Sequence, residues 1–296
     1  MLPRPLGMTT TTRTNNDRVA ELHQQLEAGF EAMTTGEDWR RMLALASRFH
    51  RYSLNNVMLV LLQRPDATQV AGYKTWLSLG RQVRKGERSI RIFAPVVRRV
   101  AEDEEDNSGA SGDRRVVGFK AVPVFDVAQT DGDPLPEVER PTLLAGEAPE
   151  GLWHALAAQV ANRGFTLVRR DCAPANGTTE WGSRVVTVRP DVDDAQAVKT
   201  LAHELAHVML HEPSTLPREH HRGRREVEAE SVAYIVCRHY GLPTDDYTLP
   251  YVAGWSGGDR DVVRETAERV MDCARAVLRA AEAVCASALD TADHAA

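Results

Sequence analysis

The chain has 296 residues, 43% of them hydrophobic, and a formal net charge of -6. That is enough apolar material for one large domain or two ordinary ones with real cores. With no apolar run long enough to span a membrane and no signal-peptide core at the N-terminus, a cytoplasmic protein is expected. The charge is unevenly spread: residues 40–99 hold thirteen Lys/Arg against two acids, Asp66 and Glu87, a local balance of +11 that leaves -17 for the rest. Two regions of opposite sign suggest two jobs. Cys172, Cys237, Cys273 and Cys285 are widely spaced and form no CxxC pair. They read as reduced, incidental thiols rather than metal ligands.

In chain order, residues 1–17 are rich in Thr, Pro and Asn and read as a disordered tail. Helical periodicity predicts helices over Arg18–Met33, over Trp39–Phe49 and, capped by Ser53, through Leu62, where Pro65 ends the run. A short helix is expected at Tyr73–Leu79, stopped by Gly80. Strands follow around Val83 and Ile90–Val96 with a turn at Lys85-Gly86, then another over Val116–Val127. The acidic, Gly/Ser-containing stretch 101–115 reads as a surface insertion, and 134–148 as an interdomain linker. Beyond it, helix Leu152–Asn162, strands Thr166–Val168 and Arg184–Val188, a helix from Asp194, a polar loop through His221, helix Arg224–His239 and a long final helix Asp261–Ala288 make an α+β pattern.

The informative run is His203-Glu204-Leu205-Ala206-His207. Two histidines four apart stack on one face of a helix. A glutamate beside the first is the arrangement for two imidazole ligands and a carboxylate that activates a metal-bound water. An apolar frame (Val198, Leu201, Ala202, Leu205, Ala206, Leu210) surrounds it. Catalytic zinc takes three protein ligands and leaves one position open. On the next helix, Ala229, Val232, Ala233 and Val236 mark a buried face. At roughly 100° per residue, Glu226 points closest to it, Glu228 falls on the other flank and Glu230 lies further off. Glu226 is therefore the expected third ligand. Glu230, one turn on, can accept the Nδ1 proton of a ligating histidine. His211 reads as a structural residue or loop anchor and is the alternative ligand. With Zn2+ at His203, His207 and Glu226, bound water drops from a pKa of about 15.7 toward about 7. Glu204 then takes the proton and passes it to a leaving amine. His220, His221 and Tyr234 are candidates for an oxyanion donor, each equally readable as structural.

The basic segment interleaves aromatic residues (Trp39, Phe49, Tyr52, Tyr73, Trp76, Phe93) with cations. Such a surface neutralises phosphates while rings stack on unpaired bases, and no duplex-reading motif is visible, so single-stranded nucleic acid is the expected partner. The candidate contacts are Arg48, Arg51, Tyr52, Asn55, Asn56, Lys74, Arg81, Arg84, Lys85, Arg88 and Arg91. The bland readings stand beside this one. Trp39 and Trp76 lie in apolar stretches and read as core, Asn55 and Asn56 can brace a turn, and the basic surface can bind the acidic half or an acidic protein.

Tyr52-Ser53-Leu54-Asn55-Asn56 and the stretch LLQRPDATQVAGYKTWLSLGRQVRKGERSIRIFAP (Leu61–Pro95) closely resemble the N-terminal domain of the ArdC-type antirestriction proteins, and the similarity continues through Val122–Thr130. The C-terminal half resembles the zinc-peptidase domain of that family, related to the ImmA/IrrE metallopeptidases, with the pattern HExxHxxLH and a following ExxA[DNE]. Here these are His203–His211 and Glu226–Glu230. The resemblance spans roughly residues 18–275. It implies an α+β fold, with an ssDNA-binding domain at 18–133 and a gluzincin-like α+β metallopeptidase domain at 149–290. It also implies Glu226 as third ligand, Glu230 as the carboxylate orienting a zinc histidine, and protection of incoming single-stranded DNA of a mobile element. Three functions stay open: a DNA-binding protein that is also a zinc peptidase, a DNA-protecting protein whose zinc is structural, and a regulatory peptidase that cleaves a DNA-associated repressor.

Overall fold

Helix starts are set by side chains that apolar periodicity does not register. In the computed structural model, which describes residues 14–99, 114–135, 151–215, 222–244 and 252–293, Asp17 N donates to the Thr14 hydroxyl and Thr14 N donates to the Asp17 carboxylate. Thr35 and Asp38 repeat this reciprocal cap. These caps satisfy first-turn N–H groups, so α1 (Asn15–Ala32) and α2 (Gly36–Arg48) each begin three residues before the predicted start. The expected tail up to residue 13, the acidic stretch to residue 113, the linker from 136, and His220 and His221 lie outside the described residues. The Ser53 hydroxyl accepts from Asn56 N, as its capping role requires, and α3 runs Leu54–Gln63.

The N-terminal half then alternates short pieces: β1 (Val70–Ala71), α4 (Tyr73–Ser78), β2 (Arg81–Val83), β3 (Ile90–Arg99), β4 (Arg114–Asp126), a 3-10 turn at Val127–Gln129 and β5 (Thr130–Gly132). Gly80 ends α4 at φ +71°, a left-handed position that favours glycine. β3 and β4 pair antiparallel from Ile90–Val124 to Arg99–Arg114, with a register shift between Val96 and Val97. β1 joins the other edge of β4, and β2 pairs with β5. α1 and α3 pack on the β3–β4 ribbon and bury Ile90, Ile92, Phe93 and Val124.

In the C-terminal half, α5 (Leu152–Asn162) leads to β6 (Thr166–Arg169), β7 (Gly177–Glu180) and β8 (Val185–Val188). β8 is central, parallel to β6 and antiparallel to β7. β7 goes beyond the strands expected from the sequence, because Gly-Thr-Thr-Glu carries no apolar alternation. α6 (Asp194–Leu210) packs on β7 and β8, followed by α7 (Arg222–His239), α8 (Val252–Ser256) and α9 (Arg260–Asp293). α6, α9 and α2 surround α7, so Val227–Ala229 and Ser231–Cys237 are all buried. That overturns the one-faced reading of this helix. Glu228, expected on a flank, is fully buried, while the Glu226 side chain is half exposed.

The buried side chains of both halves form one continuous cluster. Trp39, fully buried, donates its indole N–H to Ser231 Oγ at 2.9 Å, and Arg275 donates to the His50 and Tyr52 carbonyls. Deleting a buried Trp typically costs about 3–5 kcal/mol, so the contact between α2 and α7 is a major one. Among the described residues no helix is long and apolar enough to cross a membrane.

Candidate metal centre and basic surface

Four-residue spacing on α6 brings His203 and His207 together, and α7 delivers Glu226, its fifth residue, to them. The two Nε2 atoms stand 3.0 Å apart. Glu226 Oε2 lies 3.5 Å from one and 3.7 Å from the other. All three ligand atoms fall within 4.8 Å of one another. Each imidazole is held from behind. His203 Nδ1 is 3.1 Å from Glu230 Oε2, and Lys199 Nζ is 3.4 Å from the other Glu230 oxygen. His207 Nδ1 is 2.8 Å from His211 Nδ1, and His211 Nε2 is 2.8 Å from Glu228 Oε2. The consistent tautomers run outward: His207 Nδ1–H donates to His211, and His211 Nε2–H donates to Glu228. Both Nε2 lone pairs are then left facing each other and Glu226. Two lone pairs at 3.0 Å repel unless a proton or a cation lies between them.

The electrostatics point the same way. Burial alone would lower His203, but the Glu226 and Glu230 carboxylates outweigh it and raise the imidazolium to about 9. The His203 and His207 rings in turn hold the Glu226 carboxyl well below its ordinary range. Burial pushes His211 down, which keeps it neutral and able to accept. The donor set, two imidazoles and a carboxylate each oriented by a further group, fits a dication such as Zn2+.

Glu204 takes a different environment. It is 6% exposed, and its Oε2 accepts from the Thr179 hydroxyl at 2.7 Å. β7 passes so close that a Cβ at Gly177 would lie 2.6 Å from Thr200 Cγ2 and 2.9 Å from Glu204 Oε1. Gly177, Thr179 and Glu228 are the residues sequence reasoning missed. Only the spacing of Glu228 from Glu226 was visible, and spacing does not report an all-round buried helix. Glu228 also meets Arg269 at 3.0 Å and Arg224 at 3.4 Å. Tyr234 is buried in the core, with the Arg238 guanidinium 5.8 Å from its ring centroid.

The basic segment separates into committed and uncommitted side chains. The Arg81 guanidinium donates to Thr130, Gly132 and Asp133, tying β2 to β5. Arg84 pairs with Glu87 and Asp131. Arg48 donates to the Ala67 carbonyl, and Arg51 pairs with Glu282. Tyr52 reaches the Val70 carbonyl, and the Asn56 amide brackets the backbone of Phe93 from both sides. Asn55 is half-buried at the start of α3. Lys74, Lys85 and Arg88 are exposed, and with Arg91 they have no side-chain partner among the described residues. Arg88 borders two adjoining grooves, of about 610 and 360 Å³, between α1, α3 and the start of β3. Arg64 lines the larger, and Arg18 and Arg91 the smaller, with Glu87 and Glu21 also on the walls. Trp39 and Trp76 are core, whereas Tyr73 is 44% exposed beside Lys74.

This is a mixed α and β protein in which an HExxH helix, lying on β7 and β8, packs against a glutamate-bearing helix that in turn packs on α2. Residues 13–125 match the family described as the N-terminal domain of anti-restriction factor ArdC. The metal-free crystal structure of the antirestriction protein ArdC from plasmid R388 has the same fold, with a TM-score of 0.53 and 24% identity over 78% of this chain and 85% of that one. The Mn(II)-bound structure of that ArdC superposes with a TM-score of 0.49 at 22% identity, over the same shares of both chains. An uncharacterized Bacillus anthracis protein, pXO2-81, is 25% identical over 263 residues, and the match covers 76% of this chain but 44% of that relative. The chain thus spans less than half the length of the curated relative it matches.

Proposed function

We propose that this protein is an antirestriction-type protein of a mobile element that binds single-stranded DNA through its N-terminal half and holds Zn2+ in a metallopeptidase-type site in its C-terminal half. The observation that carries the reading is the convergence of His203, His207 and Glu226, on a chain whose residues 13–125 match the ArdC N-terminal domain family. When bound, the ion supplies Lewis acidity toward water and a peptide carbonyl. Glu204, with one oxygen fixed by Thr179, uses the other to take a proton from attacking water and return it to the leaving amine. β7 is an edge strand beside Glu204, so an extended peptide laid along it gains main-chain hydrogen bonds. The uncommitted cations Lys74, Lys85, Arg88 and Arg91, with Tyr73 for stacking, are the DNA contacts this reading favours. The committed Arg81 and Arg84 rank behind them.

The test is Glu204→Gln in the full chain. Peptide cleavage should fall by about 10²–10⁴-fold, while metal content and single-strand affinity stay unchanged. Unaltered cleavage would remove Glu204 from the chemistry. Intact DNA protection by that variant would favour a protein that shields DNA by occupancy. Equal affinity for duplex, or affinity indifferent to salt, would remove the single-strand reading.

A further inference from the structure

A second group of metal-ligating side chains lies where the two halves meet, remote in sequence from the HExxH helix. His50 follows α2, His239 is the last residue of α7, and Glu282 is on α9. Glu282 Oε1 is 3.2 Å from His50 Nε2 and 3.7 Å from His239 Nε2. The two rings meet edge to face, with centroids 4.6 Å apart. Zinc bonds of about 2.0–2.1 Å in tetrahedral geometry place ligand atoms roughly 3.4 Å apart, which these separations bracket.

Two further observations point to a ligand. His50 is 6% exposed, yet among the described residues neither of its ring nitrogens has a hydrogen-bond partner. Nε2 approaches Glu282 closely without the alignment of a hydrogen bond, which is how two ligands aimed at a common third atom stand. His239 is oriented as a ligand would be: its Nδ1–H donates to the Ser47 carbonyl at 3.1 Å, which leaves the Nε2 lone pair turned to the cluster. Arg51 holds the other Glu282 oxygen at 3.2 Å, leaving Oε1 as the single donor.

We infer that His50, His239 and Glu282 form a second site for a borderline transition-metal dication of the Zn2+ class, one that clips the end of α2 to α7 and α9. α7 carries a ligand for each site, Glu226 near its start and His239 at its end. The ion fastens the DNA-binding half to the metal-bearing half, on the segment that leads through Arg51 into Tyr52.

The test uses untagged, chelator-stripped full-length protein, loaded with Zn2+ and desalted before metal analysis. The wild type should retain two equivalents, and His203→Ala/His207→Ala should retain one. Adding Glu282→Gln to that background should abolish the remaining equivalent, or weaken it more than ~100-fold, as loss of a direct ligand must exceed the ~10–100-fold effects seen for supporting groups. Glu282→Gln is near-isosteric at a side chain 31% exposed, so it leaves the fold intact, and His239→Ala should repeat the loss. Zn2+ should raise the melting temperature of His203→Ala/His207→Ala protein but not of the protein that also carries Glu282→Gln. If wild type holds one equivalent and His203→Ala/His207→Ala holds none, the second site does not exist and the first stands. A single equivalent lost only with Glu282→Gln establishes this site and removes the other. Retention of the second equivalent through both Glu282→Gln and His239→Ala also overturns the proposal.

Discussion

The HExxH helix and the basic segment were both conspicuous in the sequence, but they differ in what their side chains do. At the candidate metal centre His203 and His207 are each gripped from behind, and their Nε2 atoms converge with Glu226. In the basic segment Arg48, Arg51, Arg81 and Arg84 are instead bonded within the protein. A spacing motif reports geometry, because a helix repeats. A charge count reports only how many cations exist, and internal carbonyls and carboxylates consume some of them before a ligand arrives.

The sharpest way to break that contrast is at its most deeply buried support. Glu228→Gln removes the charge shared by His211, Arg224 and Arg269 and should destabilise the fold by about 3–5 kcal/mol. A melting temperature close to wild type would mean that the chain from Glu228 to His207 is dispensable. On the other side, joint replacement of Lys74, Lys85, Arg88 and Arg91 by alanine should leave stability intact. It should make the dependence of log affinity on log salt shallower by about 2.8, at roughly 0.7 for each single-strand phosphate that is no longer neutralised. The same slope change from Arg81 and Arg84 alone would reverse the division between free and committed cations. Glu230→Gln loosens the grip on His203 and should weaken metal affinity by about 10–100-fold without removing the site. Titration against a competing chelator distinguishes this from outright loss.

The last contrast is in pH. In stripped protein the carboxylates overcome burial and raise His203 from 6.5 to about 9. A raised folded value adds stability that is complete below about pH 6.5 and is lost as pH climbs through about 9. The melting temperature of the stripped protein should therefore fall across that window, and the metal-loaded protein should lack the drop. Identical profiles would mean that the His203 proton does not stand where the ion would.

Much of the fold could be read from residues in a line. The core helices, the β3–β4 strands and the Ser53 cap all follow from periodicity and local capping. The short pieces could not: β1, β5 and β7 have too few residues to show a period, and they exist because a neighbouring strand offers an edge. The metal set was legible because His203, His207, Glu226 and Glu230 lie at helical intervals on two consecutive helices. The roles of Thr179, Gly177 and Glu228 were not, since each depends on what packs against it.

What the sequence alone determined is therefore the local part: which segments coil, where they start, and which imidazoles share a face. Tertiary structure decided which charges are free, why Glu228 is buried, and that His50, His239 and Glu282 meet at all. Those three are separated by 189 and 43 residues, and no local rule of backbone geometry reaches across such gaps. Only the packing of α2, α7 and α9 around one core does.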